Sequence, residues 1–143
     1  VHCLGGKEMM AAAAEACSDQ LQLIGVTQLT STSQRQMNQE MSIPGELEQS
    51  VLSLASLAKE SALAGVVCSS FEAALIKKHC GSEFLSVCPG IRFEEDAKDD
   101  QVRVASPKFA GENSVDFAVI GRSITKASSP KDKFLQAIAE MRI

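Results

Sequence analysis

Two short stretches of this chain end an apolar run with a glycine and then an arginine: Val87-Cys88-Pro89-Gly90-Ile91-Arg92 and Ala118-Val119-Ile120-Gly121-Arg122-Ser123-Ile124. Such a run reads as the end of a buried parallel strand that opens onto an anion. Glycine lets the backbone N–H groups come close, and a guanidinium matches phosphate oxygens with two parallel donors. Arg92 and Arg122 lie 30 positions apart. One strand, crossover and strand fits that interval, and neighbouring parallel strands set both arginines on one rim of a sheet. The chemistry expected there is phosphate binding.

The elements that would hold this rim can be read in order. Val1 to Leu4 is a short apolar strand closed by Gly5-Gly6, and Lys7 to Cys17, rich in alanine and methionine, reads as helix. Leu21 to Leu29 is the next strand, running into the polar loop Thr30 to Gln34. After the Pro44-Gly45 breaker, Leu47, Val51, Leu54, Leu57 and Ala58 recur at helical spacing, which predicts a helix from about Glu46 to Ala62. Gly65 to Cys68 is a buried strand. Ser69 and Glu72 form a capping box for a helix that stops at Gly81. Phe84 to Cys88 is a strand, followed by a long loop from Pro89 to Gln101 with a charge run from Glu94 to Asp100. Ser106-Pro107 starts a helix, Phe117 to Ile120 is the last strand, and Ser129-Pro130 caps a final helix with the face Phe134, Ile138 and Met141.

Apolar strands alternating with helices mean a parallel sheet covered by helices. Five strand–helix units in 143 residues suit an open doubly wound sheet or an incomplete (β/α)8 barrel, since a full barrel takes about 250 residues. In barrels the loops after the last two strands are the recurrent phosphate site, and here the last two strands carry the glycine and arginine ends.

Composition narrows the function classes. With 45% apolar residues the chain can bury one core, and a net charge of -4 with no basic stripe argues against nucleic-acid binding. The absence of Trp and Tyr removes the usual base-stacking platforms. No apolar run is long enough to span a bilayer, and the first residues do not read as a targeting signal. Cys3, Cys17, Cys68, Cys80 and Cys88 contain no Cys-x-x-Cys pair, and three lie in apolar strand-like runs, so they are expected to be buried thiols in a reducing compartment. A zinc site would have to recruit His2 and His79 from unrelated elements, and no metal is expected.

Five segments, Val26-Thr27-Gln28-Leu29-Thr30-Ser31-Thr32-Ser33, Gly65-Val66-Val67-Cys68-Ser69, Pro89-Gly90-Ile91-Arg92, Asp100-Gln101-Val102-Arg103-Val104 and Ile120-Gly121-Arg122-Ser123-Ile124-Thr125, resemble orotidine 5'-phosphate decarboxylase of the bacterial type, in the family's order. The resemblance covers essentially the whole chain. It implies a (β/α)8 barrel domain, with residues 1–143 supplying about five of the eight units, from strand 4 to helix 8. It also implies site roles. Thr30 would contact the pyrimidine, Pro89 and Ile91 would form an apolar wall beside it, and Arg92 would contact the substrate. Gln101 would sit on the loop that closes over the ligand, and Gly121 and Arg122 would hold the phosphate. A small-molecule nucleotide substrate, a homodimer, a cytoplasmic location and a reaction without cofactor follow from the same likeness.

One departure limits what this chain is expected to do. The family's Asp-x-Lys-x-x-Asp motif, which carries the proton donor, does not occur in the 143 residues. Asp96-Ala97-Lys98-Asp99-Asp100 imitates it with one residue too few, and a charge run on a loop is an ordinary solvated surface. No catalytic residue is therefore assigned. The chain begins within a strand and without methionine, so a fragment is expected, inactive alone. The alternatives are a sugar-phosphate decarboxylase or epimerase of the same superfamily, and a non-catalytic phosphate-binding fragment. His2 and His79 are read as a structural histidine and a helix-dipole partner.

Overall fold

The computed structural model describes residues 1–18, 20–93 and 104–142. Its centre is a parallel sheet of β1 (Ile24–Val26), β2 (Gly65–Val67), β3 (Leu85–Cys88) and β4 (Phe117–Ala118), in the order β1-β2-β3-β4. The helices are α1 (Gly6–Ala16), α2 (Leu47–Glu60), α3 (Ser70–Cys80), α4 (Pro107–Glu112), α5 (Arg122–Thr125) and α6 (Pro130–Met141).

Strand order settles the choice left by the sequence. A doubly wound sheet reverses direction partway, giving orders such as 3-2-1-4. Here each strand lies beside its predecessor, and crossovers of one hand place every connection on the same face. That is barrel winding. Between sheet and helices sit Met10, Val51, Ala55, Ala58, Val66, Cys68, Ala73, Ile76 and Cys88, all fully buried.

Most predicted boundaries hold, and the deviations have local causes. The first expected strand shrinks to one parallel bridge, His2 to Val26, because a 3-10 turn over Cys3–Gly5 curls the chain away. Leu21 to Leu29 contributes only Ile24–Val26 as strand, although Thr27 N–H still donates to the Val67 carbonyl at 3.2 Å. Beyond it the polar loop folds into a π-helical turn, Gln36–Glu40, that the sequence did not announce. Met37 is fully buried there, and the Gln34 side chain donates to the Gly45 carbonyl at 2.7 Å and accepts from Leu47 N–H at 2.7 Å.

The caps behave as read. In the capping box Ser69 N–H donates to Glu72 Oε2 at 2.8 Å, and Ser106 Oγ accepts from Phe109 N–H at 3.1 Å. Gly81 ends α3 at φ 98°. Ser129 occupies the cap position of α6, but its hydroxyl donates to Asp132 Oδ2 at 2.6 Å rather than accepting from the backbone. Of the predicted apolar face of α6, Met141 packs against the core and Ile138 is half-buried, whereas Phe134 is 53% exposed and Ala137 is the helix's buried residue. Of the five cysteines, Cys3, Cys68, Cys80 and Cys88 are buried and Cys17 is half-buried, all as thiols.

Candidate functional site

Position in the site begins with the register of β3 on β4, which pairs Val87 with Phe117 and Cys88 with Ala118. Asp116 locks it. Its Oδ2 accepts from Ser86 N–H at 2.7 Å and from Ser86 Oγ at 2.9 Å, its own N–H donates to Ser86 Oγ at 3.1 Å, and Lys77 Nζ lies 2.7 Å from Oδ2. Burial acts to raise the Asp116 pKa, but Lys77 and the two Ser86 donors outweigh it, so the carboxyl stays below its ordinary value. The paired residues are 30 positions apart, the same interval that separates Arg92 from Arg122.

Past the paired ends the two chains close a recess of about 150 Å³ lined by Gly90, Ile91, Arg92, Val119, Gly121 and Arg122. Four of the predicted binding residues other than Arg122 and Thr30 belong to these two rims, and of them Ile91, Arg92 and Gly121 line the recess directly while Pro89 is half-buried just outside it. Gly90 takes φ 79°, a left-handed turn that only glycine adopts cheaply, and it redirects the chain after β3. Ile91 then bridges Ala105, and Arg92 N–H donates to the Ala105 carbonyl at 3.0 Å. Ile91 and Arg92 are buried.

On the other side Gly121 is the cap residue of α5, and Arg122, exposed, is its first residue. Among the described residues, a Cβ built on Gly121 would meet no atom within 4 Å. Among the described residues the lining has two guanidinium side chains and no acidic residue, and the first N–H groups of a helix have no acceptor within it. The arrangement suits an anion about the size of a phosphate group.

The other predicted residues fall elsewhere. Thr30, buried, follows β1, three strand steps of about 4.8 Å from β4 along the same rim, and does not line the recess. Gln101 and the imitation motif Asp96 to Asp100 lie outside the described residues. His2 is exposed at its bridge to Val26.

Sequence reasoning missed three contributors. Val119 completes the recess, and alternation along the last strand could have indicated it. Lys133 on α6 lies 4.2 Å from the centre of the buried Phe93 ring and so fastens the end of the Gly90 rim to a helix 40 positions away. No local spacing announces that pair. Ser123 Oγ, beside Arg122, is buried with no hydrogen-bond partner among the described residues.

Singly wound parallel strands, with a recess between the ends of the last two, define a portion of a (β/α)8 barrel. The model of the orotidine 5'-phosphate decarboxylase / HUMPS family matches residues 1–137, and the chain belongs to that family. An orotidine 5'-phosphate decarboxylase of Geobacillus sp. (strain WCH70) is 50% identical over 137 residues, covering 91% of this chain and 57% of the relative. One from Bacillus cereus (strain AH820) is 48% identical over 141 residues, 94% of this chain and 59% of the relative. The crystal structure of orotidine 5'-phosphate decarboxylase from Lactobacillus acidophilus superposes with a TM-score of 0.83 at 35% identity, covering 100% of this chain and 62% of that one. The chain thus spans somewhat over half the length of the relatives it matches.

Proposed function

We propose that this chain is the phosphate- and pyrimidine-binding portion of an orotidine 5'-phosphate decarboxylase, corresponding to strand 4 through helix 8 of the barrel and acting in pyrimidine biosynthesis. The observation that carries the reading is the convergence of Gly90, Ile91 and Arg92 with Gly121 and Arg122 in one recess, in a member of this family. In this reading Arg122 and the backbone at Gly121 hold the substrate's phosphate. Pro89 and Ile91 wall the pyrimidine, Arg92 adds a substrate contact, Thr30 reads the ring from the β1 end, and Gln101 belongs to the closing loop. The recess is too small for a whole nucleotide, so the base lies farther along the rim toward β1.

Phosphate binding remote from the reacting carbon serves catalysis only if its energy is realised in the closed, reactive state. The chain's own residues therefore orient the nucleotide and exclude water, while the proton comes from the Asp-x-Lys-x-x-Asp motif that the 143 residues do not contain. No cofactor takes part. The assembly is a homodimer with the site near its interface, in the cytoplasm. Among the described residues no helix is long and apolar enough to cross a membrane.

Arg122→Ala in the complete enzyme tests the assignment. Loss of one charge-assisted contact worth about 1.5–3 kcal/mol weakens uridine monophosphate roughly 10- to 150-fold and leaves uridine nearly unchanged. Equal losses for both ligands refute it. The 143-residue polypeptide alone yields no uridine monophosphate from orotidine monophosphate; turnover by it would overturn the division of roles.

A further inference from the structure

A second cluster, at the ends of β2 and β3, lies in the buried core and does not line the recess. Cys68 and Cys88 are the residues next in register after the Val67–Val87 pair, and Cys68 N–H donates to the Val87 carbonyl at 3.1 Å. Both side chains are 0% exposed, and their sulfurs stand 3.7 Å apart. The other three thiols sit on separate elements: Cys3 in the 3-10 turn, Cys17 after α1 and Cys80 at the end of α3.

We propose that Cys68 and Cys88 are an oxidative modification site, a thiol pair that closes to a reversible disulfide across the ends of β2 and β3 when the protein meets a peroxide. Geometry supplies most of the case. Adjacent strands about 4.8 Å apart fall within the Cα separation of about 4.4–6.8 Å that disulfides span. Reaching a bond of about 2.05 Å asks each sulfur to move by less than about 1 Å. Sheet register, set by the three residue pairs of β2 and β3 that precede them, keeps the two cysteines opposed.

The chemistry has a defined order. A hydrogen bond links the two sulfurs, and with Cys68 as its donor it outweighs burial and brings the Cys88 pKa below that of an ordinary thiol. Cys88 thiolate attacks one peroxide oxygen, the O–O bond breaks, and the departing hydroxide takes a proton to become water. Cys68 sulfur then attacks the Cys88 sulfenic acid, the S–O bond breaks, and a second water leaves with the Cys68 proton. Two thiols lose two electrons and the peroxide gains them. Burial makes the first step wait on local opening, but the resolving thiol is already at hand, so the pair ends as a disulfide rather than a sulfinic acid. Because Cys88 directly precedes Pro89, the cross-link ties β2 to the rim that carries Gly90 and Arg92.

The test is peroxide treatment of the intact protein, alkylation of remaining thiols, and mass spectrometry without reduction. Expected are a mass lower by two hydrogens and a linked Cys68–Cys88 peptide, both reversed by dithiothreitol. Cys68→Ala and Cys88→Ala each lose the linked peptide. The wild-type map stands even if those variants fold poorly. Oxygen added at Cys88 without linkage, linkage to another cysteine, or both thiols still alkylatable after Cys17 has been oxidised would each overturn the proposal. Since no nucleotide is involved, the outcome is independent of the functional reading above.

Discussion

Gly121→Ala separates ligand binding from folding more cleanly than removal of either arginine. Its backbone φ is -97°, and among the described residues an added methyl meets no atom within 4 Å. Alanine caps a helix less well than glycine, but it also narrows the unfolded ensemble, and the two effects oppose each other at about 1 kcal/mol or less. The variant therefore folds with a Tm within a few degrees of the parent. The methyl group, however, is added to a residue that lines the 150 Å³ recess proposed to hold the phosphate. Crowding a filled site by one methyl costs about 1–3 kcal/mol, so uridine monophosphate binds roughly 5- to 150-fold more weakly.

Calorimetric titration of the complete enzyme with uridine monophosphate and uridine, paired with thermal melts, reads both effects. Gly90→Ala serves as the contrast. At φ 79° the alanine costs about 1 kcal/mol or more, which lowers Tm by about 2–4 °C or more in a protein of this size. If Gly121→Ala binds uridine monophosphate as tightly as the parent, the phosphate does not lie against Gly121 and the assignment of the recess fails.

Two further predictions concern the scaffold beneath the site. The Asp116 pKa is held below 3.8, so the ionised form favours folding; its contribution is complete above the unfolded carboxylate range and disappears as pH falls through the folded value. Acid titrations of stability for the wild type and Asp116→Asn are expected to diverge above about pH 4 and converge below it, and parallel curves would rule out the ion pair with Lys77 as their cause. Gly65 on β2 faces the Leu85 carbonyl so closely that a Cβ would collide with backbone, and Gly65→Ala is expected to cost about 3 kcal/mol in urea unfolding. A loss below about 0.5 kcal/mol would mean that β2 and β3 separate easily.

What could be read from the chain in advance was whatever is encoded by neighbours in sequence. The Ser69–Glu72 box, the Ser106 cap and the Gly81 stop each depend on residues within one turn, and all three are present. What stayed hidden depends on distant partners. The π-helical turn rests on a single buried residue, Met37, and on amide side chains reaching across to Gly45 and Leu47. Lys133 meets Phe93 only because α6 returns to the rim. Composition and periodicity could not decide between reversing and continuing strand order, since both use the same alternation of strand and helix.

The convergence of the two glycine and arginine ends was legible for a reason that register makes explicit. The interval of 30 positions between Arg92 and Arg122 reappears as the offset that pairs Val87 with Phe117 and Cys88 with Ala118. In a parallel pair, equal offsets put equal distances of chain beyond the last paired residues, so the two arginines leave their strands at matched positions. Ser86 and Asp116, which share the offset, hold it from the opposite end through three hydrogen bonds. A slip of one residue would turn every side chain of β4 to the other face and separate the recess into two unrelated turns. The geometry of the recess at Gly121 is therefore set by an ion-paired carboxylate at the far end of the same strand, and the proposed phosphate site is as secure as that register.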